Sequence, residues 1–172
     1  MKRKIIILLL IISVNIYAGL VDDGITASKH GDNAKAFEMF KKSCDNDNRV
    51  GCKYTAQAYN KGIIVKTNIS KALFYYTRSC TLGLGKSCLF IANSYHKGTG
   101  LKKDYTKALK FYAFACDDGI AEACQHYGFS YEMGQGVKRD VAVAKKYYDK
   151  ACELGVDKGC IYSKQLKSMG VK

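Results

Sequence analysis

The sequence predicts an all-α protein: a right-handed αα-hairpin solenoid of four 36-residue repeats, each stapled by one disulfide. Three observations carry that prediction. The eight cysteines fall in pairs, Cys44/Cys52, Cys80/Cys88, Cys116/Cys124 and Cys152/Cys160, with seven residues inside each pair and 36 from one pair to the next. Ala36, Ala72, Ala108 and Ala144 keep the same period, and Phe40, Tyr76, Tyr112 and Tyr148 follow four residues later. The 172-residue chain has 16 glycines and no proline, which suits helices separated by glycine turns. A period of this length is one helix-turn-helix unit of a stacked repeat.

Each unit opens on Asp32, Asn68, Asp104 or Asp140. Asp and Asn are strong N-caps, because the side chain accepts a bond from an otherwise unpaired backbone N–H. Helix A then runs from about residue 33, 69, 105 or 141 to just past the first cysteine. Its alanine and aromatic positions, four apart, share a face. Gly83, Gly119 and Gly155 break the helix, with Asp47 in their place in repeat one. Helix B starts near the second cysteine. It ends at Gly62, Gly98 and Gly134, each three residues after Tyr59, Tyr95 or Tyr131, and in the last unit near Gly170.

The cysteine spacing constrains the path between the helices. On one continuous helix, residues eight apart stand about 12 Å apart, whereas a disulfide needs Cα atoms within roughly 7 Å. The pairs close only if the chain turns between them, so Cys44–Cys52, Cys80–Cys88, Cys116–Cys124 and Cys152–Cys160 are the expected bridges. Zinc is the rival reading. Structural zinc sites prefer cysteines two to four apart, commonly with histidine. The three histidines, His30, His96 and His126, do not follow the period.

The ends read differently. Lys2-Arg3-Lys4, the apolar stretch Ile5 to Val14 and the small residue Ala18 have the order of an export signal, residues 1–18, cleaved near Ala18. Its apolar core is about half the ~20 residues of a membrane span, so no transmembrane anchor is expected. Residues 19–31 are read as an N-terminal capping helix. Residues 32–172 are the four-repeat solenoid with a C-terminal cap, its last helix running from roughly Gly159 to Met169. The expected location is periplasmic or secreted, where disulfides persist. The formal charge is +13, of which Lys2, Arg3 and Lys4 contribute three, leaving +10. Lysine is spread over every repeat with no arginine-aromatic recognition motif, so nucleic acid is not the expected partner.

Repeat three, from Asp104 to Asp140, carries a resemblance. Its alanine-rich first helix, glycine-bounded turn and ending Tyr131, Gly134, Gly136, Asp140 resemble the Sel-one-like repeat, a relative of the tetratricopeptide repeat. Repeat two keeps that ending as Tyr95, Gly98, Gly100, Asp104. Repeat one keeps Tyr59 and Gly62 but has Ile64 and Asn68 in the other two places. With cysteines at the paired positions, the chain resembles the Helicobacter cysteine-rich protein family. That resemblance implies a penicillin-binding protein with weak β-lactamase activity, hydrolysing the β-lactam amide. Ordinary Sel-one-like repeat proteins imply the alternative, a non-catalytic scaffold for peptides, proteins or cell-wall fragments.

The residues themselves assign no catalytic group. Ser94-Tyr95-His96-Lys97 matches the S-x-x-K pattern of serine β-lactamases, but it falls at the end of a helix B rather than the start of a helix, and S-D-N is absent. No H-x-x-x-H or H-x-E-x-x-H spacing occurs. No metal and no cofactor are expected. The feature that suggests binding is the helix A face turned from the core, expected to line the concave side. One series there is Glu38, Phe74, Lys110, Lys146, and the next is Lys42, Arg78, Phe114, Lys150. Phe74, Arg78, Lys110, Phe114 and Lys146 form the candidate groove, basic with two aromatic rings. It suits an extended acidic peptide, a C-terminal carboxylate, a peptidoglycan-derived fragment or a β-lactam. Oligomeric state is not encoded in any feature of the sequence.

Overall fold

The computed structural model describes residues 19–171; the export signal read at residues 1–18 lies outside them. The described residues are helical throughout, without strands. The chain divides into two compact units, Met1–Leu82 and Gly83–Lys172.

The first unit contains α1 (19–29), α2 (Asn33–Asp45), α3 (Arg49–Lys61) and α4 (Ile69–Thr81). Asp32 caps α2 by accepting from the Lys35 N–H, Asn48 caps α3, and Asn68 caps α4 through the Lys71 N–H. Ala27 of α1 packs with Ala36 and Phe40 of α2, and Ile25 and Tyr54 close over them. Gly24 permits this approach, since a Cβ there would stand 2.7 Å from the Phe40 ring. Cys44 and Cys52 are bridged with Cα atoms 4.4 Å apart, joining α2 to α3 across their turn.

The second unit contains α5 (Gly85–Lys97), α6 (Tyr105–Asp117), α7 (Ala121–Met133), α8 (Val141–Glu153) and α9 (Asp157–Ser168). Asp104 and Asp140 cap α6 and α8. Cys116–Cys124 and Cys152–Cys160 are bridged, each with Cα atoms 4.6 Å apart. Cys80 and Cys88 are disulfide-bonded as well, and no described cysteine is free. Ala144, Tyr148 and Leu166 form one buried cluster.

Within the α2–α3, α6–α7 and α8–α9 hairpins the turn is the same. The first cysteine's carbonyl accepts from the residue two after the helix end: Asp47, Gly119 or Gly155. The next residue donates one position further back, as Ile120 N–H does to Ala115. This pair of bonds is the Schellman closure, which needs a left-handed residue. Gly119 and Gly155 supply φ of 78° and 91°, and Asp47 adopts φ of 58° in their place. Because this closure takes only three residues, the second helices begin three residues before their cysteines, earlier than the sequence suggests. Small residues then allow the helices to meet. A Cβ on Gly51 would stand 2.6 Å from Ser43 Cβ, and one on Gly159 would stand 2.8 Å from Ala151 Cβ.

Candidate functional site

The predicted groove residues lie on helix faces turned away from the core, and each unit carries its own part. On α4 of the first unit, Phe74 is 62% exposed. It meets the Tyr75 ring edge-on at 5.1 Å, Tyr75 stacks on Tyr59 at 5.7 Å, and Lys71 Nζ lies 5.2 Å over the Tyr59 ring. Arg78, one turn on, is engaged inside the unit. Its guanidinium reaches Asp47 at 2.9 Å and Asp45 at 3.9 Å. Lys41 also bonds Asp45 at 3.0 Å, and that carboxylate holds the Lys41 ammonium's pKa above its ordinary value. Arg78 therefore ties α4 to α2 rather than offering a free charge.

The second unit repeats the tie. Lys150 of α8 pairs with Asp117 of α6 at 3.5 Å, the same repeat positions as Arg78 and Asp45 two repeats later. Phe114, also 62% exposed, lies on α6 with Lys110 one turn before it. Lys146 lies on α8 one turn before Lys150 and is exposed. Among the described residues neither Lys110 nor Lys146 makes an ion pair. Tyr147, beside Lys146, packs edge-on against Tyr127 at 4.5 Å, fixing the backbone that carries these side chains. The structure thus brings Lys110, Phe114 and Lys146 onto two helices of one unit, and Phe74 and Arg78 onto one helix of the other.

The residues weighed for chemistry have structural partners. Ser94 sits in the last turn of α5, buried, its hydroxyl donating to the Phe90 carbonyl at 2.9 Å. Ser130, 36 residues later, donates to the His126 carbonyl at 2.9 Å in the same way. The S-x-x-K match is therefore a repeat position, with the serine's proton committed to the backbone. His96 Nε2 stands 3.0 Å from Gln135 Oε1, and its ring lies edge-on to Tyr105. His126 stacks on Tyr112 at 5.1 Å and approaches Glu122 at 3.6 Å. Burial pushes the His126 imidazole below its ordinary pKa, against the opposing pull of Glu122. Tyr112 donates to Asn93 Oδ1 at 2.7 Å, and burial raises its phenol far above the usual range. Among the described residues no group of three His, Cys, Asp or Glu side chains could hold a metal ion. No helix among them is long and apolar enough to cross a membrane.

The sequence reading missed two features. The small residues one position before each cysteine (Ser43, Ser79, Ala115 and Ala151 against Gly51, Ser87, Ala123 and Gly159) were visible in the 36-residue alignment and set the helix approach. A pocket on α1, α2 and α3 was signalled only by departures from the repeat, chiefly Ile64, where repeats two and three have glycine.

Disulfide-stapled helical hairpins at a fixed period define a helical repeat protein. The Sel1 repeat family matches residues 17–48, 49–84, 85–120 and 121–156, and the chain is a cysteine-rich member of that family. The family's units begin at α3, α5 and α7, so each joins a helix B to the helix A that follows, and α1 occupies the first half of the first unit. Among solved structures, the Sel1 repeat protein of Oxalobacter formigenes is 25% identical with a TM-score of 0.79, covering 91% of this chain and 66% of that one. The Helicobacter pylori cysteine rich protein B is 31% identical with a TM-score of 0.59, covering 73% of this chain and 90% of that one. The protective antigen c5321 of uropathogenic Escherichia coli, which displays an SLR fold, is 23% identical with a TM-score of 0.81, covering 90% of this chain and 34% of that one. This chain thus spans about two thirds of the first structure and one third of the antigen. No curated protein matches it.

Proposed function

We propose that the protein is an exported, non-catalytic binding module that holds an extended acidic segment of a partner polypeptide on its helix A faces. The observation that carries this reading is the surface of α6 and α8. An aromatic ring 62% exposed at Phe114 shares these helices with Lys110 and Lys146, neither of them ion-paired among the described residues. Exposed rings give contact area at little entropy cost, and unpaired cations steer and orient an acidic partner. The first unit carries an exposed ring of its own at Phe74, while its Arg78 is held by Asp45 and Asp47. Export is supported by eight bridged cysteines, which require an oxidising compartment, and by the basic-then-apolar leader at residues 1–18. In this reading α1 caps the repeat array. The second reading, β-lactam hydrolysis, rests on the family resemblance, and Ser94, the residue matching its motif, is bound to the Phe90 carbonyl.

The test is binding of the purified, disulfide-intact chain to a fluorescent poly-Glu peptide. Phe74→Ala, Phe114→Ala and Lys110→Glu should each weaken it, and the affinity should fall with salt. Unchanged affinity in all three variants rejects the surface. Penicillin turnover that tracks the folded protein through purification, or a stable mass increase of one penicillin, would replace this reading with the hydrolase.

A further inference from the structure

The pocket on α1, α2 and α3 has a volume of about 270 Å³. Its apolar side is Phe40 stacked on Tyr54 at 4.6 Å, with Ile25 and Ile64. Lys29, Asn33 and Lys61 line it as well.

Three departures from the repeat accompany the opening: Gly24, Asn33 and Ile64 stand where the second unit has His96, Tyr105 and Gly136. In the second unit the turn after α7 carries Gly136, with φ of 74°. A Cβ there would stand 2.5 Å from the backbone C and O of Tyr105, the first residue of α6. That turn lies directly on the start of α6, and Gln135 beside it bonds His96. The same repeat positions in the first unit are Ile63, Ile64 and Asn33. Isoleucine cannot make the glycine's approach, and neither Ile63 nor Ile64 adopts the positive φ that Gly136 has. Ile64 and Asn33, which would otherwise meet, become pocket wall. Ile63 is left 68% exposed. Two large apolar residues in a turn where repeats two and three carry small or polar ones leave an apolar surface without a partner among the described residues.

The lining fixes the chemistry of the occupant. The volume lies below the ~300–1,000 Å³ of pockets that bury a whole drug-sized ligand, so it suits one large side chain. Lys29 and Lys61 both line it and no carboxylate does. No ion pair among the described residues involves either lysine. We infer that this pocket binds the carboxy-terminal residue of a partner polypeptide, its apolar side chain on the Phe40–Tyr54 stack and its free carboxylate between Lys29 and Lys61. Asn33 and Gln57 also line the pocket, and side-chain amides can both donate to and accept from a peptide backbone. Capture of a terminal carboxylate is a known recognition mode, since the charge occurs once per chain and marks its end. None of these residues belongs to the α6/α8 surface, so the two readings fail separately.

The experiment measures fluorescence anisotropy of a labelled hexapeptide, Gly-Ser-Gly-Ser-Ala-Leu, against the purified chain with its disulfides intact. The free-acid peptide should bind saturably. Its carboxamide should bind at least about tenfold more weakly, the loss expected when a charge-assisted bond is removed. Lys29→Glu and Lys61→Glu should each cost about as much, while Lys164→Glu, an exposed position on α9 that changes the net charge equally, should leave binding unchanged. Ile64→Gly restores the residue of repeats two and three and should weaken binding at least about tenfold with helix content intact. Equal affinity for acid and amide, no saturation at about 1 mM peptide, or full binding by a folded Ile64→Gly chain would overturn the inference. N-acetyl-leucine competing as tightly as the peptide would overturn the polypeptide occupant in favour of a free amino-acid ligand. If Ile64→Gly fails to fold, the acid–amide comparison and the lysine variants decide.

Discussion

Reduction of the disulfides should remove most of the stability of this protein. Each described bridge joins residues eight apart. Closing a loop of that size takes about 2.5 kcal/mol of conformational freedom from the unfolded chain. The remaining cysteine pair has the same spacing, so four bridges contribute about 10 kcal/mol, against a total of about 5–15 kcal/mol for a typical domain. The fully reduced protein should therefore sit at the edge of unfolding. Urea titrations followed by far-UV circular dichroism, with and without a phosphine reductant, measure this directly. For a single bridge, Cys116→Ala with Cys124→Ala should cost about 2.5 kcal/mol and lower Tm by about 5–10 °C. Alanine is the right probe because both positions are fully buried and a serine hydroxyl there would need a new partner. The order of reduction is also set by the structure. Cys152 and Cys160 are half-buried, whereas the other six cysteines are buried. The last bridge should open first under mild reductant, read by alkylation and intact mass. A reduced protein within about 2 kcal/mol of the oxidised one would refute the loop-closure reasoning, and early opening of Cys116–Cys124 would refute the exposure reasoning.

Three further outcomes are expected. Gly136→Ala should cost on the order of 2–3 kcal/mol, the left-handed penalty plus displacement of the turn from Tyr105. Gly155→Ala, with φ of 91° and no atom within 4 Å, should cost only the ~1–2 kcal/mol of conformation; equal losses in urea titrations would mean that the Gly136 turn is not docked. Asp140→Ala removes the acceptor of the Ala142 and Val143 N–H groups and should cost about 1 kcal/mol, with a neutral result counting against the cap. Burial lowers the His126 pKa, with Glu122 opposing and His96 and Lys97 reinforcing, and the ring faces Tyr112. Its stabilisation is therefore complete above the ordinary histidine value of about 6.5 and is lost as pH falls through the lower folded value. Tm should drop between about pH 7 and 5, less so in His126→Gln; a rise on acidification would contradict the burial.

Period-bound features were legible in the sequence because one physical demand recurs four times. A bridge across a three-residue turn, a left-handed residue at Gly119 or Gly155, an N-cap at Asp104 or Asp140 and a small-plus-aromatic face each leave the same residue type every 36 positions. Even the exception at Asp47 was readable, since Asp tolerates left-handed φ better than most residues. The candidate surface was legible as exposure but not as pairing. Arg78 and Lys150 belong to the same basic series as Lys42, yet their charges are spent on Asp45, Asp47 and Asp117. Those contacts depend on how successive helices register, which no single-helix projection contains.

Positions that the repeat demands carry no information about a ligand, and the buried serines make the point. Ser94 attracts attention within a short motif, but Ser130 at the same repeat position makes the same bond to the carbonyl four residues back. Positions where the repeats disagree are different. Residue 38 and its equivalents are Glu38, Phe74, Lys110 and Lys146, all exposed; residue 64 and its equivalents are Ile64, Gly100 and Gly136. Stacking is indifferent to the first series. In the second, Gly136 permits a backbone contact that Ile64 forgoes, leaving a pocket beside two unpaired lysines. A side chain that gives up a contact its sister repeat makes, and opens space by doing so, is better explained by what fills that space than by folding. For that reason Ile64→Gly separates the two requirements: it should keep the helices and weaken the binding.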